Sequence, residues 1–450
     1  MSDRETAHVV VVGGGFAGVA CTRRLAGQPG VRVSLIERNG YHQFQPLLYQ
    51  VATAELTPDD VRFDLEAMFS GHDNVEVRTA EVVAADPAVP AVTLAGGEVV
   101  TADVLVLAAG AEPNFFHTPG ADRHSFPLYS LEDAERVRSR VLQLFEDASA
   151  KPELVDEGAL TFVVVGAGAT GVETAGALAE LVHDVMPHVH PHLAVAGARV
   201  ILVDLGHAVL GPFSDEAHEY AARQLQRRGV QLRLGTSARE IGAGHVALSD
   251  GTTIPTHLAV WGGGLMAAPL AAGSGLSQGR GGRIDVRPDL TVEGFPAVYA
   301  LGDFANIPAG DDQPLPQLGS VAQQAGAWAG RNILADRTGE GRQPFHYHDK
   351  GIMAMIGRRA AVAEIGEHRH ELHGRLAFAA WLGVHAQLLA NAGAELNAFL
   401  TWADEFYLRS HHRSAALLDP ATIDTPRIQW NAHRAETAPP LSPARPTARG

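Results

Sequence analysis

The chain has 450 residues, enough for two or three domains, with a formal net charge of −16 and one cysteine, Cys21. That acidity excludes a nucleic-acid partner, whose phosphates need clustered lysine and arginine, and general polybasic attachment to anionic lipid. A lone cysteine excludes an internal disulfide or a redox-active thiol pair, and no stretch reaches the roughly 18 apolar residues that span a bilayer. The chain starts polar and shows no signal peptide, which predicts a cytosolic protein that touches a membrane, if at all, by its surface.

In chain order, Val9–Val12 predicts a buried strand. Gly13-Gly14-Gly15-Phe16-Ala17-Gly18 then predicts a tight turn and a helix start. The first two glycines allow the turn and close backbone approach, the third lets helix pack on strand, and the helix N-terminus faces phosphate. Cys21, just inside this helix, reads as a small packing residue. A second strand, Val31–Ile36, ends at Glu37 and Arg38. Glu37 lies 19 residues beyond Gly18, where a carboxylate accepts hydrogen bonds from ribose hydroxyls. The segment Tyr41–Ala52 is rich in aromatics and amides without a clean period, which suits a loop and helix lining a flat ring. Val104–Ala108 predicts another buried strand, ending at Ala109-Gly110.

From about Pro127 the design repeats. Phe162–Val165 leads into Gly166-Ala167-Gly168-Ala169-Thr170-Gly171, followed by Glu173 at a helix start. Strand Arg199–Val203 ends at Asp204, a carboxylate that favours a 2′-hydroxyl over a 2′-phosphate, hence NADH over NADPH. Between them, His183, His188, His190 and His192 are broken by Pro187 and Pro191 and lack a cysteine or tight carboxylate set, so they predict a solvated insertion and no metal. The unit closes at Val260-Trp261-Gly262-Gly263-Gly264. One such glycine motif is a weak signal; two in one chain point to two dinucleotides meeting face to face, which means electron transfer.

The chain then returns to the first unit. Ala297–Leu301 predicts a short buried strand ending in Gly302-Asp303, and Leu315 onward leads into a long helix carrying Ser320 and Gln324. A third region follows. Between Gly374 and Leu408 apolar residues recur at helical spacing, with Trp381 and Trp402 suited to a membrane interface. These helices read either as a membrane- or dimer-contact surface or as packing on the core. The tail beyond about Ala435 is rich in Pro, Ala, Thr and Arg and reads as disordered.

At this point the chain resembles a family. Two glycine-rich nucleotide folds, the Gly302-Asp303 strand end and the missing thiol pair resemble the two-dinucleotide flavoproteins. Within them, His42–Ala52, Gly168–Glu173 and Tyr347–Arg358 closely resemble type II NADH dehydrogenases, and the similarity runs to about residue 410. The resemblance implies an α/β fold with two Rossmann-like domains, the NAD domain inserted in the FAD domain, plus a C-terminal region of amphipathic helices. The expected bounds are 1–120 and 285–345 for FAD, 121–284 for NADH, 346–435 for the C-terminal region and 436–450 for the disordered tail. It implies hydride transfer from NADH to FAD and two-electron reduction of a membrane quinone without proton pumping, in a respiratory chain, on the cytoplasmic face of the membrane. A homodimer is a further expectation.

On this resemblance Gly13, Gly15, Phe16, Ala17, Gly18, Glu37, Arg38, Ala109, Gly110, Gly302 and Asp303 hold FAD. Gly166, Gly168, Gly171, Asp204 and Gly263 hold NADH. Lys350 approaches the flavin, where a cation favours the reduced ring. Glu173 orients the nicotinamide or relays protons to quinone. Two positions depart from the family. Its quinone site carries two glutamines where this chain has Ser320 and Gln324, and Ala394-Glu395 stands where Asn-Arg is usual. The alternatives are a soluble NADH-dependent flavoprotein serving a non-quinone acceptor, and a flavin-bound sensor without rapid turnover.

Overall fold

The computed structural model describes residues 6–193, 197–310, 313–366, 368–388, 425–428 and 430. Positions expected to continue the apolar pattern beyond 388, Trp402 and Ala394-Glu395 among them, lie outside the described residues, as does the tail 436–450.

Runs of β-branched residues build two parallel sheets. In the first, Ala7–Val12 lies between Val31–Glu37 and Val104–Leu107, with Val9 opposite both Val33 and Val104. Val75–Thr79 extends one side. On the other, Phe295–Ala300 pairs in parallel with Val104–Leu107 and in antiparallel with Thr291–Val292. The chain therefore leaves this sheet after Leu107 and comes back nearly 200 residues later, as its short Gly-Asp strand suggests. The second sheet is wholly parallel, in the order Phe126–Pro127, Leu258–Trp261, Thr161–Val165, Arg199–Asp204 and Val230–Leu234. Each sheet is accompanied by a three-stranded antiparallel meander, Val82–Thr101 and Ala238–Pro255. Ala111–Pro113 pairs with Leu265–Ala267, tying together the two crossings between the sheets.

Val9–Val12 and Thr161–Val165 are fully buried, which explains their runs of valine: a parallel strand covered on both faces has no polar side. Each fully buried valine or leucine contributes roughly 1.5–3 kcal/mol. The segment 41–52 forms the short strand Tyr41–Gln43, a 3-10 turn Gln45–Leu47 and the helix Leu48–Ala52. Its Phe44, Leu47 and Val51 bury with Val137 and Phe145 of the long helix Leu131–Ala150 and with Val172 after the second glycine motif. Gln43 pins the join, donating to the Tyr129 carbonyl at 3.0 Å and accepting from the Leu131 N–H at 3.1 Å.

The C-terminal part is an antiparallel sheet, Gly351–Gly357, Ala360–Ile365 and His370–His373, followed by helix Gly374–Leu388. The sheet presses on helix Ala169–Glu180 at Gly176, where any Cβ would strike the Ile356 carbonyl. The helix that follows corrects one expectation. Trp381 is 0 % exposed and packs with Ala377 and Phe378 in the core, because these positions share the helix face turned to the sheet; Leu376 (72 % exposed) and Val384 (39 %) point away. Among the described residues no helix is long and apolar enough to cross a membrane. His183, His188 and His192 are exposed, His190 stacks on Phe145 at 5.8 Å, and these histidines form no converging ligand group among the described residues.

Candidate active site

The two glycine motifs fold alike. Gly13 and Gly166 each adopt φ +102°, open to glycine and strained for other residues. A Cβ at Gly18 would strike the Gly13 carbonyl, and one at Gly171 the Gly166 carbonyl, so both third glycines permit helix-on-strand contact. A Cβ at Gly15 or Gly168 would meet nothing within 4 Å: each helix starts into open space. The strand-end carboxylates brace the motifs identically. Gly14 N–H donates to Glu37 Oε2 at 2.7 Å, and Ala167 N–H donates to Asp204 Oδ2 at 2.6 Å. Asn39 and Gly206 N–H groups hold the second oxygens. Each acid thus stands at the edge of its motif with its position fixed by backbone donors.

Both helix starts open onto one cavity of about 420 Å³, with Gly15, Phe16 and Ala17 on one side and Ala169, Thr170 and Glu173 on the other. A second cavity of about 430 Å³ continues from it past Glu37, Arg38, Ala109 and Glu112. Gly15, Gln45, Gly110 and Tyr129 belong to both, so the two form one trough along the first sheet's strand ends. At the join, Gln45 Oε1 is buried without a hydrogen-bond partner, an acceptor that wants a ligand donor. Open helix starts, a continuous trough and an orphaned acceptor fit an extended dinucleotide with a flat ring at its inner end.

Asp303 sits at the trough floor. Tyr129 O–H donates to its Oδ2 at 3.2 Å, and Gln317 donates to its backbone carbonyl at 3.1 Å. Burial pushes the Asp303 carboxyl up, opposed by the Tyr129 hydroxyl and the Arg283 guanidinium. Gly302 (φ +64°) lets the strand end approach Ala17 and Ala322 closely. Glu173 opens onto the cavity yet lies deep in the protein, and burial pushes its carboxyl up to about 8. The Met355 N–H, donating at 3.1 Å, and the Trp381 indole favour the charged form and are outweighed. A carboxyl poised there can donate or accept a proton near neutral pH. On the second sheet Gly262 and Gly264 line the cavity while Gly263 lies against the Trp261 ring.

Three expected residues lie elsewhere. Gln324 turns from the cavity to an outer groove shared with Phe16, Arg23 and His42, and its amide clasps the His348 backbone, donating to the carbonyl and accepting from the N–H at 3.0 Å each. Ser320 Oγ lies 3.0 Å from the Tyr347 hydroxyl. Both thus bind the segment before the C-terminal sheet. Lys350 is exposed, its carbonyl accepting from the Gly366 N–H. Conversely, Tyr129 and His385 line the cavity unforeseen, beside Gln45 and Tyr49. Gln45 and Tyr49 lay in the aromatic–amide segment; His385 is an isolated polar residue in an apolar helix. His385 is neutral, burial holding its imidazole down at about 4, and its Nδ1 lies 2.8 Å from the Trp381 carbonyl. Cys21 is 0 % exposed and burial pushes its thiol up to about 12, so it offers no nucleophile.

Residues 7–326 match the family model described as pyridine nucleotide-disulphide oxidoreductase. The chain is 33 % identical over 447 residues to the type II NADH:quinone oxidoreductase Ndh of Mycobacterium tuberculosis, covering 96 % of this chain and 94 % of that one. It is 28 % identical to the type II NADH:quinone oxidoreductase of Staphylococcus saprophyticus, over 80 % of this chain and 90 % of that one. Its fold superimposes on NDH2 of Plasmodium falciparum solved in complex with NADH, with a TM-score of 0.82 at 16 % identity, covering 90 % of this chain and 99 % of that one.

Proposed function

The chain belongs to the pyridine nucleotide-disulphide oxidoreductase family, among its type II NADH:quinone oxidoreductases, and from that premise we infer that it oxidises NADH through FAD and reduces a membrane quinone by two electrons without pumping protons. The observation that carries this reading is the single cavity onto which both glycine-motif helices open. Two nucleotides seated on those helices bring their reactive rings together there.

Bound flavin supplies the chemistry of the centre, accepting two electrons with a hydride and releasing them to an acceptor. The protein's part is to bind, orient and supply protons. Gly13, Gly15 and Gly18 seat one pyrophosphate at a helix N-terminus, with Glu37 on the ribose side and Asp303 and Tyr129 on the sugar–phosphate floor. Gly166, Gly168 and Gly171 seat the second, with Asp204 selecting a free 2′-hydroxyl. Glu173 holds a proton where the rings meet and gives it to the acceptor as the quinone gains electrons. Ser320 and Gln324 shape this site at one remove, by clamping residues 347–348 to the helix that begins at Gly319.

Membrane contact is assigned to the outward face of helix Gly374–Leu388, which presents Leu376 and Val384, on the cytoplasmic side of the cell membrane. The same face is where a second copy would pack.

The test is anaerobic. NADH should bleach the flavin absorbance of the purified protein, and a menaquinone or ubiquinone analogue should restore it within the turnover time. Bleaching without quinone reoxidation would transfer the assignment to a soluble reductase serving another acceptor. Flavin that NADH leaves oxidised would remove both enzyme readings.

A further inference from the structure

Glu173 and Tyr49 each line two spaces. One is the large cavity of the reaction; the other is a small pocket behind them, whose free volume for a water's centre is about 10 Å³. A cavity of that size accommodates one water molecule when polar groups surround it. Here they do. Tyr49 comes from helix Leu48–Ala52, Glu173 and Glu180 lie seven apart on one face of helix Ala169–Glu180, and Glu55 and Arg358 close the sides. Ala177 lies on the same helix face between the two glutamates.

The Tyr49 hydroxyl is the telling group. Its residue is 4 % exposed and its oxygen has no hydrogen-bond partner in the protein, although Glu173 is the charge that acts on it most strongly. A buried hydroxyl left unpaired is costly, and a bridging water is the ordinary remedy. The far end of the pocket meets the ion cluster where Arg228 donates to Glu180 at 2.9 Å and the Arg358 N–H donates to the same oxygen at 2.7 Å. The side chains of Glu180, Arg228 and Arg358 are 11 %, 16 % and 22 % exposed, so solvent reaches this end of the pocket.

We propose that the pocket seats one water, held by the Tyr49 hydroxyl and the Glu173 carboxyl, and that this water returns protons to Glu173 from the Glu180 side. Tyr49 is thereby a positioning residue of the reaction. The inference rests on the proposed quinone reduction, and its balance is simple. Reducing quinone to quinol takes two electrons and two protons; the hydride of NADH brings both electrons and one proton, and the second proton comes from solvent. Glu173 releases that proton to the quinol oxygen and becomes a carboxylate. The water then protonates it and takes a replacement from solvent at the ion cluster.

The experiment compares the FAD-loaded wild type with Tyr49→Phe and Ala177→Val, the first removing the hydroxyl and the second filling the pocket. Stopped-flow mixing separates reduction by NADH from reoxidation by a ubiquinone analogue, in H2O and in D2O. Both variants should keep the NADH step, slow the quinone step about tenfold and enlarge its solvent isotope effect. Tyr49→Phe should also melt no higher than wild type, since it loses a satisfied hydroxyl. A Tyr49→Phe protein that melts higher and keeps wild-type quinone kinetics would overturn the proposal, because the hydroxyl would then be a true orphan. If NADH reduces wild type but quinone does not reoxidise it, the acceptor reading falls, while the melting comparison still decides the water.

Discussion

Glu173 couples the protein's stability to pH in an unusual direction. Its carboxyl is pushed up to about 8 by burial, so the folded state keeps a proton that the unfolded chain sheds in the ordinary carboxylate range. The native state then binds more protons than the unfolded one between that range and about pH 8, and stability falls as pH rises through this window and levels off above it. Glu173→Gln should therefore melt higher than wild type at pH 8–9 by on the order of a few kcal/mol, with the advantage shrinking toward pH 5. Thermal melts across pH 5–9 check this; a constant difference would mean the carboxyl is not protonated in the fold. In the same enzyme the quinone step should slow as pH passes about 8, while Glu173→Gln is slow throughout. Asp204→Ala removes the acceptor proposed for the NADH ribose, and the kcat/KM preference for NADH over NADPH should narrow by roughly 10- to 100-fold, the worth of one hydrogen bond to a charged group. An unchanged ratio would reject the assigned role. These acids were legible because local spacing sets their place: Asp204, like Glu37, ends the strand after a glycine motif, and Glu173 sits in the helix that such a motif opens. Tyr129 was not, since its neighbours in the trough come from distant parts of the chain. Asp303 is 174 positions from Tyr129.

The element hardest to read from sequence was helix Gly374–Leu388. Trp, Phe and Leu at helical spacing serve a core as well as a membrane surface, and only the docked sheet reveals which face turns inward. The structure separates the two roles by residue. Trp381→Ser should unfold the protein at lower temperature, at a cost of about 3–5 kcal/mol for an emptied aromatic site. Leu376→Glu should leave the melt within about 0.5 kcal/mol and reduce pelleting with liposomes. Equal pelleting by the Leu376→Glu variant would move the contact off this face. A second element, the loop after Pro113, holds Phe116 (φ +49°) and His117 (φ +57°) consecutively in the left-handed region, braced by the Phe116 N–H donating to Asn114 Oδ1 at 2.9 Å. Side chains with a Cβ resist that conformation, so His117→Gly should stabilise the fold by about 1 kcal/mol in a denaturant melt. No stabilisation would mean the strain is relieved elsewhere.

At the scale of the molecule, two repeats of one design share a single working space, and no reading of either repeat alone would place it. The glycine motifs and the late Gly-Asp strand made the doubled α/β plan legible in sequence. The trough itself was not, because it forms only where strand ends, the 41–52 segment and the first turns of two helices meet. A ligand that bridges such surfaces stabilises the whole by mass action, about 2.7 kcal/mol at a hundredfold excess over its dissociation constant. Apoprotein given FAD should accordingly melt several degrees higher; an unshifted melt would argue that the trough holds something else. One buried atom has a practical corollary. The only sulfhydryl in the chain, on Cys21, is sealed from solvent and kept protonated far above physiological pH. Maleimides and alkylating drugs therefore find no thiolate on the folded enzyme, and inhibitors built on thiol-capturing warheads would have to bind this protein by other means.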